Sequence, residues 1–541
     1  MTNKKFKLAA MSLATAVAVS AVGPSASAVT YYLSDGSVTV DQDNNGAYSY
    51  QNKTDGKTEN VYVDEDTQDN GQIIIKQAED TTTDTTTGNT VTVEENVTNE
   101  NGERDVDIII DGVNVDTSDT STTTDTPAEV PADADTKEDK TIIKVGEGAD
   151  VDLTVKDSNL TTGGHGIDIG VDLDGKDDNK GANVDLTLDN TKINLTENAT
   201  AGINARDNSD VDITLKGDNT IDGSEAIDKV TEGGGHDISK DNVNIEGIRV
   251  GGEGASDSSD ASEGANTKLT ISGGVEKTET AETDTEETES PAGGSLAISD
   301  TTGGLVMADG SDVEITDGAD VTIEETKTSG STQAGRGVTQ HGDLTISGDS
   351  SLKIDGVEDN AKQASHTGIG IASWDDITVE DGSTLEISDA TTGIYGHQGS
   401  DASLTVEDSA LNIAGSSFGI DYEGAGKDKE GNVLKSAGDI TFDNAEVDIN
   451  ITPETPNAAG YGIAAHGDSN ITFKNGTEAE IKVTSENPDA GTWGIYNERG
   501  GTGNLTVNDS TVDIDANRGI YAGFQKVEIA NNSVVTSKNT H

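Results

Sequence analysis

Gly393-Ile394-Tyr395 opens a phrase that runs on, past a turn, as Ser403-Leu404-Thr405-Val406-Glu407-Asp408-Ser409. It continues as Ala410-Leu411-Asn412-Ile413 and a Gly/Ser turn, then starts again at Gly419-Ile420. Leu404 and Val406, then Leu411 and Ile413, fall on one side of their strands, with Thr405 and Asn412 on the other. A strand this short cannot bury its apolar side alone. Stacked copies of the phrase can, because each coil covers the one before it.

The phrase recurs. Gly-Ile or Gly-Val dipeptides return at Gly166, Gly202, Gly247, Gly337, Gly368, Gly393, Gly419, Gly462, Gly494 and Gly519. A second strand follows each in the later half: Leu344-Thr345-Ile346, Ile377-Thr378-Val379, Ile440-Thr441-Phe442, Ile471-Thr472-Phe473 and Leu505-Thr506-Val507. A third comes after it, as in Leu352-Lys353-Ile354, Leu385-Glu386-Ile387, Val447-Asp448-Ile449 and Val512-Asp513-Ile514. The shortest intervals hold three strands and three turns but no helix, and Asp, Asn, Ser and Gly fill the turns. The expected fold is all-β: a parallel β-helix with three short strands per coil, right-handed by the usual chirality of parallel connections.

Three units are expected. Residues 1–28 read as a secretory signal peptide: Lys4, Lys5 and Lys7, an apolar run from Leu8 to Val22, and Ala26-Ser27-Ala28 before Val29. The exported chain is then extracellular, with no membrane insertion after cleavage. Residues 29–89 hold strand-like pieces at Ser37–Val40, Glu59–Val63 and Gln72–Lys76, without the full phrase, and suit an N-terminal β cap. Residues 90–541 form the β-helix. It is interrupted near 117–140, 251–266 and 276–291 by acidic, Thr-rich insertions that lack aliphatic spacing and are expected to be mobile. The last coil, Gly519 to Thr536, has no polar capping segment after it, so the chain is expected to be a fragment of a longer surface protein.

Charge narrows the partners. The formal net charge is −68, and loss of the three signal lysines makes it more negative. Nucleic acid and anionic membranes need a basic face, and both are excluded as partners. At 31% hydrophobic residues such a chain invites disorder, but the few aliphatics fall where repeated strands need them. There is no cysteine, so no disulfide contributes. No dedicated cofactor is expected; the acidic surface could bind Ca²⁺ diffusely.

The alternation of Gly-Ile with Leu-Thr-Val-x-Asp-Ser phrases resembles the secreted right-handed β-helix repeat proteins of bacterial surfaces. These include adhesins and carbohydrate-binding cell-wall proteins. The resemblance covers Thr90 onward and implies a secreted or cell-surface, non-catalytic protein that binds a glycan or a host or cell-surface receptor. The alternative is a polysaccharide lyase or glycoside hydrolase on the same scaffold. Gly164-His165-Gly166 is similar to the Gly-His-Gly of polygalacturonases, but no Asn-Thr-Asp lies upstream and only Ile248-Arg249-Val250 stands in for the basic motif. His165 is therefore expected in a turn, and no catalytic residue is assigned. The threonine column from Thr154 to Thr506 is read as a solvated strand face rather than an ice-binding ladder.

Aromatic residues are only 3% of the chain, so their placement carries weight. Phe418, Tyr461 and Trp493 directly precede the Gly of successive Gly-Ile strands; Tyr395, Tyr496 and Tyr521 come two positions after it. Both sets are expected outward on one face of stacked coils, with His397 and His466 at the bend that follows. These eight residues are the glycan-binding candidates, with sugar C–H faces packing on the rings. No metal ligand is assigned.

Overall fold

The computed structural model describes residues 29–42, 48–52, 72–78, 86–95, 97, 107–118, 140–173, 175, 180–227, 244–251, 266–274, 293–327, 335–357, 368–400, 402–424, 437–455, 458–485, 487, 491–499, 501–521 and 523–538. The expected signal peptide, the Glu59–Val63 strand and nearly all of the three insertions lie outside the described residues.

The chain coils as a right-handed parallel β-helix with three strand columns. The threonine face is a single sheet of 15 strands running from Val29–Tyr32 to Lys526–Ala530. Its neighbours pair in parallel with like opposite like: Leu404 meets Ile377 and Ile440, and Thr405 meets Thr378 and Thr441. The expected single threonine column is in fact two: Thr154, Thr187 and Thr214 lead on to Ser272 and Thr316, whereas the column two residues nearer the strand start runs Asp152, Asp185, Asp212, Thr270, Glu314 and Thr345 and continues to Thr506. Burial alternates with a period of two along strands such as Asp150–Lys156, Asn183–Asp189 and Asp210–Lys216, because successive side chains leave opposite sides of the backbone. The inward rows of Val, Leu and Ile form one continuous core along the stack, with Phe442 and Phe473 stacked inside it at 5.0 Å.

Turns after the threonine strands need left-handed backbone, which Asp and Asn tolerate. Asp157, Asn190, Asp408, Asn444, Asn475 and Asp509 all adopt φ between 47° and 58° there. Their side chains also bond from coil to coil, as when Asn444 Nδ2 donates to Asp408 Oδ1 at 2.6 Å. Polar turn residues are thus a second ladder outside the core.

The structure departs from expectation in several places. Parallel stacking begins well before Thr90: Val29–Tyr32 pairs with Gln72–Lys76, which pairs with Asp107–Asp111. Capping character appears locally, where Tyr48–Asn52 lies antiparallel to Val38–Gln42. The expected Gly/Ser turn at Ala414–Ser417 is extended, so Ala410–Tyr422 is one strand of 13 residues, as is Thr384–Gly396. Pairing of Ala414 with Asn450 and Gly415 with Ile451 keeps that corner in the ladder. Finally, Gly370-Ile371, not Gly368-Ile369, occupies the Gly-Ile column, since Ile371 lies opposite Val338 and Ile394. The segment Gly368-Ile369-Gly370-Ile371 repeats its dipeptide at the strand period, and only the neighbouring coils decide between the two.

Candidate functional site

The Gly-Ile strand decides what its outer side presents. Phe418 and Ile420 are two residues apart, and a straight strand would turn both the same way. Instead Gly419 itself faces the interior: a Cβ there would lie 2.5 Å from Ile449 Cγ2 and 2.5 Å from the Gly462 carbonyl oxygen. Ile420, the next residue, is fully buried in the core as well. Two successive inward residues require a bend, and that bend leaves Phe418 outside. The same reasoning holds for Gly462 and Tyr461, and for Gly494 and Trp493.

Three outer columns result. The residue before Gly runs Arg336, Ile369, Thr392, Phe418, Tyr461, Trp493, Arg518 from coil to coil. The residue two after Gly runs Thr339, Ala372, Tyr395, Asp421, Ala464, Tyr496, Tyr521. At the bend, four after Gly, come His341, Trp374, His397, Glu423, His466 and Glu498.

The aromatic candidates divide into two groups. In the first, Phe418 stacks on Tyr461 at 4.8 Å and 3°, and Tyr461 on Trp493 at 4.7 Å and 5°. Arg518 covers the far face of Trp493 at 4.8 Å. Tyr496 meets Tyr461 and Trp493 edge-on at 5.3 and 5.9 Å, stacks on Tyr521 at 5.2 Å, and touches His466 at 5.5 Å. All of these are partly exposed except Arg518 and Tyr521, which are exposed. Tyr395 and His397 stand apart: Asp421 and Ala464 separate Tyr395 from Tyr496 in their shared column, and Tyr395, expected outward in the open, is buried against Ile369, Ala372 and Trp374.

Tyr395 and His397 belong to a second group that sequence reasoning missed. Trp374 is sandwiched between His341 at 4.1 Å and His397 at 5.0 Å, with Arg336 5.7 Å from its ring centre. Tyr395 meets His397 edge-on at 6.1 Å. The constant offset of four from the column glycine was the available signal. It was obscured by the misplaced glycine at 368.

Stacking changes what the rings offer. Ring faces in the Phe418–Tyr461–Trp493 run are spent on one another and on Arg518, so their edges and polar tips point outward. Both faces of Tyr461 and of Trp493 are taken, so the expected packing of sugar C–H faces has none to use on those two rings. Tyr hydroxyls remain as hydrogen-bonding tips; burial, and then neighbouring negative charge or the paired tyrosine, hold both Tyr461 and Tyr496 protonated above the usual range.

Polar groups rim the first group. His466 Nε2 lies 3.4 Å from Oδ1 of Asp421, which is 2% exposed. Burial draws the imidazole pKa down, but the Asp421 bond and the charges of Asp421, Glu498 and Glu423 outweigh it and raise it overall. Beside the second group, Asp343, Asp375 and Asp376 bring carboxylate oxygens within 4.8 Å of one another, as do Glu95, Glu147 and Asp172 near the N-terminal end. Burial, then the Asp343 charge, pushes Asp375 up to about 6.

His165 is not in a turn. It begins the strand His165–Val171, which pairs with Ala201–Ala205, and it is buried. Beside it Asp168 accepts from Arg206 Nε at 2.9 Å, Arg206 Nη2 at 2.7 Å and Asn204 Nδ2 at 2.8 Å, with His165 Nε2 4.0 Å away. Burial would raise the Asp168 pKa, but the Arg206 bonds, the two cations and Asn204 hold it below the usual carboxylate value. Glu246 pairs with Arg249 two coils on. A carboxylate gripped by three donors is an ionic clasp between coils; it is poorly disposed to donate or accept a proton in a reaction.

No protein family, curated protein or solved structure matches the chain.

Proposed function

We propose that the chain is a secreted, non-catalytic cell-surface protein that binds glycan through the outer side of its Gly-Ile face. The observation that carries this is the concentration of aromatics there. Of two Trp, ten Tyr and five Phe in the chain, both Trp, Tyr461, Tyr496, Tyr521 and Phe418 are at least partly exposed on the outer face of coils 369–521, with Tyr395 buried beside them. Aromatic mass placed outside a core that is already filled is the usual mark of a recognition surface. A carbohydrate would run across ring edges and tyrosine hydroxyls, with sugar hydroxyls reaching the polar rim.

Trp493→Ala removes the ring that joins Tyr461, Tyr496 and Arg518. It is expected to weaken glycan binding about tenfold or more while the far-UV circular dichroism of the fold is unchanged. A glycan array on wild type and variant, with and without Ca²⁺, tests this; no binding, or equal binding by both, ends the reading. The enzymatic alternative would rest on Asp375, near 6 beside Asp343. Reducing ends or unsaturated sugars released from any glycan in the array, and lost in Asp375→Asn, would favour it instead.

A further inference from the structure

We infer that the glycan bound by this face carries a carboxylate, as a uronic acid residue does, and that Arg518 selects for it with paired N–H donors beside the Trp493 ring. The inference rests on the glycan reading above and adds the chemical class of the ligand.

Carboxylates are plentiful in this chain and arginines are not: six arginines stand among 102 acidic residues. Arg206 spends its donors on Asp168, and Arg249 pairs with Glu246. Lys526, in the same coil as Arg518, is likewise taken by Glu528. Arg518 is not. Among the described residues its side chain has no ion pair and no hydrogen-bond acceptor, and its partner is the Trp493 ring, 4.8 Å from the guanidinium carbon. It is exposed.

An arginine without a carboxylate in so acidic a chain needs a physical reason, and stacking supplies one. Arg518 lies opposite Trp493 in the column before glycine, so strand register delivers its stem to the indole. The guanidinium closes the run Phe418–Tyr461–Trp493, and its positive charge is felt at the Tyr461 hydroxyl. Cation–π attraction holds it over the ring face. A guanidinium held by its face keeps its N–H groups around the rim, and two of them in parallel match a carboxylate. Lysine at that place would offer a point charge without the fork.

Neighbouring tyrosines supply the contacts for the rest of the sugar. Tyr496 meets Trp493 edge-on and stacks on Tyr521, which shares a strand with Arg518. Sugar hydroxyls fall to those tyrosine tips, and the carboxylate falls to the arginine.

The field of the whole chain works against an anion. A formal charge of −68 repels polyanions at long range, so a preference for a carboxylate cannot be diffuse attraction. It has to come from donors in contact. The same field limits the ligand to few charges: one acidic residue in an otherwise neutral glycan gains the Arg518 pair and meets little of the repulsion that a polyuronate meets.

Matched sets of three oligosaccharides test this: a hexose-terminated glycan, the same glycan oxidised at its terminal primary hydroxyl to the uronate, and the methyl ester of that uronate. Sets on several backbones are screened on the array with the full chain at pH 7, and those that bind are measured by titration calorimetry. The uronate should bind about three- to tenfold tighter than either neutral form, the scale of one exposed charge-assisted pair. Arg518→Gln, checked for an unchanged far-UV circular dichroism spectrum, should bring that ratio to about one. Arg518→Lys should restore only part of it, and Trp493→Ala should weaken all three members and narrow the ratio. A uronate bound no tighter than its ester, or a preference that survives Arg518→Gln, overturns the inference and leaves the glycan reading standing. Full restoration by Arg518→Lys overturns the paired-donor recognition in the same way. Failure of every glycan on the array removes the glycan reading itself, and this inference with it.

Discussion

Ile420→Asp and Thr405→Asp put the same carboxylate on opposite sides of the coil wall, and the structure separates their costs. Ile420 is fully buried between Ile394 and Ile463 of the adjacent coils. Losing a buried aliphatic of that size costs about 2–5 kcal/mol. The new carboxylate has no partner in an aliphatic column, which adds a penalty of several kcal/mol that protonation only partly relieves. A total above about 4 kcal/mol is expected at pH 7. Thr405 lies half-buried on the outer face between Thr378 and Thr441, where a carboxylate keeps its water. Its substitution should cost within about 1 kcal/mol. Because each coil is covered by its neighbours, damage at Ile420 should spread along the stack. Urea unfolding followed by circular dichroism, with hydrogen exchange to locate the opening, measures both. Equal midpoint shifts would refute the inward assignment of the Gly-Ile column, and with it the bend at Gly419.

Three other substitutions test separate parts of the structure. Gly419→Ala drives a methyl group against the Gly462 carbonyl, a backbone atom that cannot swing aside, and should cost about 1–3 kcal/mol in the same urea assay. Asp168→Asn removes one partner of the buried clasp with Arg206 and should cost about 3–5 kcal/mol at neutral pH. Since the folded Asp168 pKa is depressed, its contribution is present above the unfolded value and lost as pH falls through the folded one; acid titration of the thermal midpoint should show that loss in wild type and not in the variant. Asp375 has the opposite sign. Its folded pKa of about 6 exceeds the unfolded value, so its ionisation lowers stability as pH rises between the two, and Asp375→Asn should raise the thermal midpoint at pH 7 but not at pH 4. A variant less stable than wild type at pH 7 would contradict the assignment of repulsion at that cluster.

Strand parity was legible because a period of two needs only adjacent residues: Leu404, Val406, Leu411 and Ile413 are all buried, and Thr405 and Asn412 are not. Features that depend on the neighbouring coil were not legible. Composition reads Ala414–Ser417 as a turn, yet ladder bonds to Asn450 and Ile451 hold it extended. Composition likewise reads Gly164-His165-Gly166 as a turn, yet pairing with Ala201–Ala205 makes His165 a buried strand residue. The outward placement of Phe418, Tyr461 and Trp493 is correct in the structure although simple alternation would have turned them inward; the bend at glycine rescues it. Trp374 escaped notice because its place in the bend column is counted from Gly370, which only stacking can identify.

The candidate site shows why a β-helix can carry recognition at little cost to its fold. Inward positions in every coil are constrained by the coils on both sides, and even a glycine there cannot accept a methyl group. Outer positions answer to the next coil and to the adjoining outer columns rather than to the core, so a column may change from threonine to tyrosine to aspartate, as the one holding Thr339, Tyr395 and Asp421 does. A ring in such a column finds its stabilising partner at the next coil, 4.7–4.8 Å away, which is face-stacking distance. The spacing that builds the sheet therefore builds the aromatic run, and it also consumes the ring faces. The carboxylate that interrupts the column, Asp421 between Tyr395 and Tyr496, is buried with it and is answered by His466 rather than by solvent.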